Sequence, residues 1–147
     1  MHTIITFTID RYDDMLKAWQ ATPGIGLSSA DDRESITRYL ARNPGGSFIA
    51  ESNGGEVIGG ILGGHDGRRG YLHHLFVLPD QRNRGVGKRL VEAALSFLST
   101  EGIEKSHIFV FNANESGKDF WNYIGWQERS DISIFSKLHN IDWVNNR

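Results

Sequence analysis

Between Leu78 and Leu90 the chain gathers four cations, Arg82, Arg84, Lys88 and Arg89, around Gly85 and Gly87. An apolar run, Leu75-Phe76-Val77-Leu78, leads in and stops at Pro79, and a helical pattern follows from about Val86 to Thr100. The expected arrangement is strand, turn and helix, with both glycines at the helix start. N–H groups in a first helical turn lack intrahelical partners, and the helix dipole adds partial positive charge there. Glycine, having no Cβ, lets a ligand approach that backbone. A phosphate or pyrophosphate suits this chemistry; a tight turn with a solvated basic face is the plainer alternative. Just upstream, Tyr71-Leu72-His73-His74-Leu75-Phe76-Val77 holds the only adjacent histidines. Strand alternation would place Tyr71, His73, Leu75 and Val77 on one face and Leu72, His74 and Phe76 on the other. An imidazole in that position either accepts a proton in a partly dry cleft or packs as a satisfied sheet side chain.

The surrounding pattern supplies the elements that must hold these groups. Thr3 to Ile9 alternates as a strand, and Asp10 is placed to cap a helix carrying Met15, Leu16 and Trp19 that ends at Pro23-Gly24. A second helix is expected from Asp31 to Arg42, with Ile36, Tyr39 and Leu40 inward. Ser47–Ser52 and Glu56–Gly63 form a hairpin across Asn53-Gly54-Gly55, and a second hairpin turns through His65-Asp66-Gly67-Arg68 into Tyr71–Val77. Gly102 closes the long helix as a C′ residue would. Lys105–Phe111 reads as the next strand, and Ser116-x-x-Asp119 as the cap of a short helix. Trp126–Arg129 and Ile132–Leu138 read as two final strands. The unit from Tyr71 to Phe111 is a strand–helix–strand crossover with antiparallel hairpins before and after it. A mixed α/β sheet with helices on both faces follows. The stretch Gly59-Gly60-Ile61-Leu62-Gly63-Gly64 implies close backbone approach or a bulge.

Two familiar phosphate loops are absent. No Gly-x-x-x-x-Gly-Lys-Ser/Thr occurs, and the dinucleotide fingerprint lacks its third glycine, since that position is Leu90. Instead, Arg82-Asn83-Arg84-Gly85-Val86-Gly87, between its strand and helix, resembles the acetyl-CoA pyrophosphate loop of the GNAT superfamily of N-acetyltransferases. The segment Asn114-Glu115-Ser116-Gly117-Lys118-Asp119-Phe120-Trp121-Asn122-Tyr123-Ile124-Gly125-Trp126 is similar to a second segment of that family, with Asn114, Phe120 and Gly125 matching.

The resemblance implies one GNAT-like domain over residues 1–147 that moves an acetyl group from acetyl-CoA to a primary amine and releases CoA. It implies that the amides of Arg84, Gly85, Val86, Gly87 and Lys88, with Arg82 and Asn83 beside them, hold the pyrophosphate. It also implies that the sheet parts after the loop's strand, so that backbone groups of Phe76 and Val77 meet the pantetheine arm together with Asn114. His73 is implied as the general base, with Tyr71 on its face. The family's acid, a tyrosine, falls on Trp121, which cannot protonate a thiolate; Tyr71 and Tyr123 are the replacements considered, beside water or the substrate ammonium.

Composition limits the alternatives. A length of 147 residues suits one domain. Lys and Arg number 16 against 18 Asp and Glu, so a nucleic-acid binder is not expected and the basic loop reads as a local site. With no cysteine, a disulfide framework and a thiol nucleophile are excluded, and the histidines have no metal-ligand spacing. The first residues do not read as a secretory signal and no run has the length of a membrane span, so a cytoplasmic protein is expected. The acids Asp10, Asp13, Asp14, Asp31, Asp32 and Glu34 either attract a cationic amine or serve as caps and solvated faces. The amine, a small molecule or a peptide, is not specified, and a homodimer is compatible with the family. A catalytically quiet acyl-CoA-binding module is the rival reading.

Overall fold

Among the described residues, five strands follow from the alternating segments and their turn residues. They are β1 (His2–Thr6), β2 (Phe48–Ser52), β3 (Val57–His65), β4 (Gly70–Val77) and β5 (Ser106–Ile108). The structure, a computed structural model, describes residues 1–139. The strands lie side by side in chain order; the first four are antiparallel neighbours and β5 joins β4 in parallel. Helices α1 (Tyr12–Gln20), α2 (Arg33–Arg42) and α3 (Val86–Thr100) belong with the sheet to a unit ending at Phe111, while α4 (Glu115–Tyr123) belongs to a second unit starting at Asn112.

The glycine-rich strand β3 explains how helices sit close to both sheet faces. A Cβ on Gly59 would lie 3.3 Å from Leu90 of α3, whereas one on Gly60 would lie 2.6 Å from Met15 of α1. Gly64 faces Tyr39 and Asn43 in the same way. One face therefore packs Met15, Trp19, Ile36, Leu62 and Phe76; on the other, α3 buries Leu90, Val91, Ala94 and Leu98. Gly63 is the tightest point, because its Cβ would stand 2.4 Å from the carbonyl oxygen of Gly46. Backbone on both sides must move to admit a methyl group there. Gly63→Ala is expected to lose about 1–3 kcal/mol, read as a lowered thermal midpoint with a native-like circular dichroism spectrum.

Local signals placed several boundaries well. The Asn53-Gly54-Gly55 and Asp66-Gly67 hairpins form, and α3 spans the residues its periodicity predicts. Asp32 caps α2 by accepting a bond from Ser35 N at 2.8 Å. Elsewhere the structure departs from expectation. Strand β1 stops at Thr6, and Ile9–Arg11 is a 3₁₀ turn, so Asp10 takes a bond from the Thr8 hydroxyl instead of capping α1. Strand β5 covers three residues rather than the seven from Lys105 to Phe111. Helix α4 is capped by Asn114, which accepts from Gly117 N at 3.0 Å, and not by Ser116. Trp126–Arg129 and Ile132–Leu138 are not strands. Ile132, Ile134, Phe135 and Leu138 are exposed; an alternating pattern supplies a face to bury but not the neighbouring edge a strand needs.

Candidate functional site

The loop between β4 and α3 is shaped by two left-handed residues, Asn83 at φ 63° and Gly85 at φ 77°. Asparagine tolerates that region and glycine enters it without strain. Gly85 occupies the N-cap of α3 and, having no side chain, makes no cap bond. The N–H groups of Val86, Gly87 and Lys88 therefore begin a fifteen-residue helix with no carbonyl four residues back inside it. Arg84 and Lys88 are exposed beside them. Arg82 bends back, donating from Nε to the carbonyl of Val77 at 2.9 Å. Arg89 is turned away, with Nη1 2.8 Å from His2 Nε2 on β1, so the fourth cation of the sequence cluster leaves the loop. The cradle is open, amide-rich and cationic, which suits a diphosphate.

Strand β4 connects this loop to the histidines, and its geometry corrects the alternation. Between the pairs Gly60↔Phe76 and Leu62↔His73, β3 contributes one residue and β4 contributes two, His74 and Leu75. The extra residue is a bulge, with His74 at φ 51°. Residues paired across a sheet share a face. Phe76, opposite Gly60, thus shares the α1–α2 face with His73, opposite Leu62, instead of lying behind it with Leu72. His74 also turns to that side, meeting Trp19 edge-on at 5.2 Å. The two histidines are not divided between the faces.

Pairing of β4 with β5 runs from Gly70↔Ser106 to Leu72↔Ile108 and stops. Among the described residues, that edge of β4 has no strand partner from His73 to Val77. Phe76 is buried and Val77 half-buried, and the Val77 carbonyl is the one that accepts from Arg82 Nε. Around the start of that edge stand Tyr71, whose ring lies 5.6 Å from His107 and 6.3 Å from Phe109, and His73, 6.4 Å from Phe109. Tyr39 of α2 closes the other side of His73, ring edge to ring face at 6.3 Å. The loop after α1 reaches the same neighbourhood, since a Cβ on Gly26 would touch Phe111 at 3.2 Å. Burial above all, then the charge of adjacent His74, holds the His73 pKa below its ordinary value of 6.5, against the pull of Asp31. The Tyr39 hydroxyl is buried without a hydrogen-bond partner among the described residues, and that burial raises its pKa.

The model of the acetyltransferase (GNAT) family matches residues 12–126, which include the loop, β4 and α4. The chain belongs to the GNAT acetyltransferase family. An acetyltransferase of Pectobacterium atrosepticum is 33% identical over 125 residues, covering 85% of this chain and 81% of that one. An acetyltransferase of Photorhabdus laumondii is 30% identical over 144 residues, 95% and 96% of the two chains. Among solved structures, a GNAT-family acetyltransferase of Staphylococcus aureus Mu50 superposes with a TM-score of 0.77 at 19% identity, covering 95% of each chain. PaiA N-acetyltransferase of Thermoplasma acidophilum, solved with coenzyme A, superposes with a TM-score of 0.71 at 18% identity, covering 85% of this chain and 89% of that one.

Within this GNAT chain, the second unit holds the rest of the expected site residues. Asn114 spends its carbonyl oxygen on the α4 cap. Trp121 is buried against Trp126 at 4.6 Å, and Tyr123, at the end of α4, is 87% exposed. The early acids are largely bonded within the protein: Asp13 to Arg33, Asp14 to Arg11, Asp32 to the α2 start and Asp31 to His74. The cap reading suits them better than an open acidic mouth. Two features had escaped the sequence. Tyr39 was read as core without its place against His73. The Asp31–His74 pair joins residues 43 positions apart, for which no local pattern exists.

Proposed function

We propose that this GNAT protein transfers an acetyl group from acetyl-CoA to a primary amine by direct attack within a ternary complex. The observation that carries the reading is the uncapped, glycine-started helix α3 next to a β4 edge that has lost its β5 partner. Amides from Arg84 to Lys88, with Arg82 and Asn83 framing them, would bind the diphosphate, each charge-assisted bond contributing about 1.5–3 kcal/mol. The edge at Phe76 and Val77 would pair with the pantetheine amides as a strand does, Arg82 giving up its bond to the Val77 carbonyl. The remaining side-chain NH₂ of Asn114 is the group we assign to the same arm. When bound, acetyl-CoA supplies a thioester open to nucleophilic attack.

A lysine-like amine has a pKa near ~10.4, so its neutral form costs about 4–5 kcal/mol at neutral pH. His73 is the group we assign to take that proton, directly or through water. Its half-buried seat keeps the ring neutral at pH 7 and thus able to accept. Tyr71, on the same face, and Tyr123 are the hydroxyls assigned to return a proton to the departing sulfur, because buried Trp121 has none to give.

The test is thiol release from acetyl-CoA against polyamines, amino acids, aminoglycosides and peptides. Turnover above the hydrolytic background with any amine supports the proposal. Tight acetyl-CoA binding with no transfer to any of them would favour the rival reading, a quiet acyl-CoA-binding module, to which Trp121 at the tyrosine position lends weight.

A further inference from the structure

His74 is a half-buried imidazole that the transfer scheme leaves without a task. It sits at the left-handed residue of the β4 bulge, a conformation costly for most side chains and one that persists only when its surroundings hold it. The surroundings do so here. Its Nε2 is 2.8 Å from Asp31 Oδ1, and the two side chains are only 17% and 10% exposed. Asp31 is itself fixed at two further points: its Oδ2 accepts from Ser28 N at 3.0 Å, and its carbonyl accepts from the Tyr12 hydroxyl at 2.6 Å. Trp19 backs the imidazole edge-on. The chain from α1 through the loop to the strand bulge is thereby closed into one bonded circuit, and His73 is the next residue along.

We propose that the hydrogen-bonded Asp31–His74 pair is a positioning device for His73: it clamps the β4 bulge to the loop after α1, fixing both the aim and the electrostatic surroundings of the neighbouring imidazole. The proposal rests on the reading of His73 as proton acceptor. The titratable groups around the two rings are Tyr71 on β4, Tyr39 on α2, and Asp31 on the 3₁₀ turn Ser29–Asp31, with Tyr12 of α1 behind Asp31. The charge of His74 opposes protonation of His73 and that of Asp31 favours it, while burial sets the larger background.

The substitution that isolates the effect is His74→Asn, since asparagine tolerates the left-handed backbone and should keep the bulge. The His73 ring is followed by NMR titration in the parent and variant proteins, alongside the pH dependence of kcat/KM. The expected result is a His73 titration displaced to higher pH, with the acidic limb of the rate profile displaced in the same direction. Asp31→Ala, which removes the carboxylate from the clamp, should lower kcat for the amine by about tenfold while the protein still melts cooperatively. A folded His74→Asn variant whose His73 titration coincides with the parent's overturns the proposal. A displaced His73 titration with an unmoved rate limb would instead retain the pairing and remove His73 from the proton transfer.

Discussion

Replacing Gly87 by glutamate should abolish measurable acetyl-CoA binding while making the protein more stable. Gly87 is the second residue of α3, with an ordinary helical backbone, since it is not among the glycines at positive φ. Glutamate has a better helix propensity than glycine by close to ~1 kcal/mol, and a negative side chain in a first turn is favoured by the helix dipole. Folding therefore gains. Binding loses because the new carboxylate stands at the amides assigned to the diphosphate, competing for the same field and repelling the same charge. Losing two charge-assisted bonds alone would weaken the cofactor at least about a hundredfold, roughly 2.7 kcal/mol. Calorimetric titration with acetyl-CoA, paired with a thermal melt, reads both effects. A variant that melts higher and still binds like the parent would detach the helix start from the cofactor.

Removing the imidazole of His73 has the second largest expected effect. A general base contributes about 10²- to 10⁴-fold, so His73→Ala should lower kcat/KM by that order at neutral pH. The sign of the pH dependence follows from burial. His73 is held below the ordinary histidine value, so the parent's kcat/KM should rise with pH through a midpoint below 6.5 and level off above it. In the variant that acidic limb should vanish, leaving only the slow rise as the amine substrate itself deprotonates. An acidic limb of the same position in His73→Ala would assign it to another group, with Tyr39 unsuited because burial raises its pKa.

The parts of this structure that the sequence predicted are those settled by short-range chemistry. The bounds of α3 follow from its 3.6-residue periodicity, the helix-opening glycines and Gly102 behind it. The β2–β3 hairpin follows from Asn53-Gly54-Gly55, whose residues suit a tight turn wherever it is placed. The glycine run in β3 correctly announced close approach, and the 2.4 Å space at Gly63 is its cause. What was hidden depends on distant partners. The β4 bulge cannot be read from Tyr71–Val77, because strict alternation is the default until Asp31 and Trp19 draw His74 to their side. The same bulge moved Phe76 onto the face of His73. The shortening of β5 is similar: Phe109 and Phe111 look like strand residues by type, yet pairing with β4 ends at Ile108. The apolar residues of Ile132–Leu138 carry a strand's composition without a strand's partner. Of the candidate site, the cradle was legible because a helix start and its glycines are contiguous. The surroundings of His73 were not, since Tyr39, Asp31 and Phe109 reach it from three separate elements.

A crystal structure with bound coenzyme A addresses the claim on which the other assignments depend, namely that the start of α3 holds the diphosphate. The account requires diphosphate oxygens within about 2.7–3.2 Å of at least two backbone N–H groups between Arg84 and Lys88, and the pantetheine arm along the β4 edge beyond Leu72. A coenzyme bound elsewhere, with those amides facing water or the protein's own side chains, would contradict it.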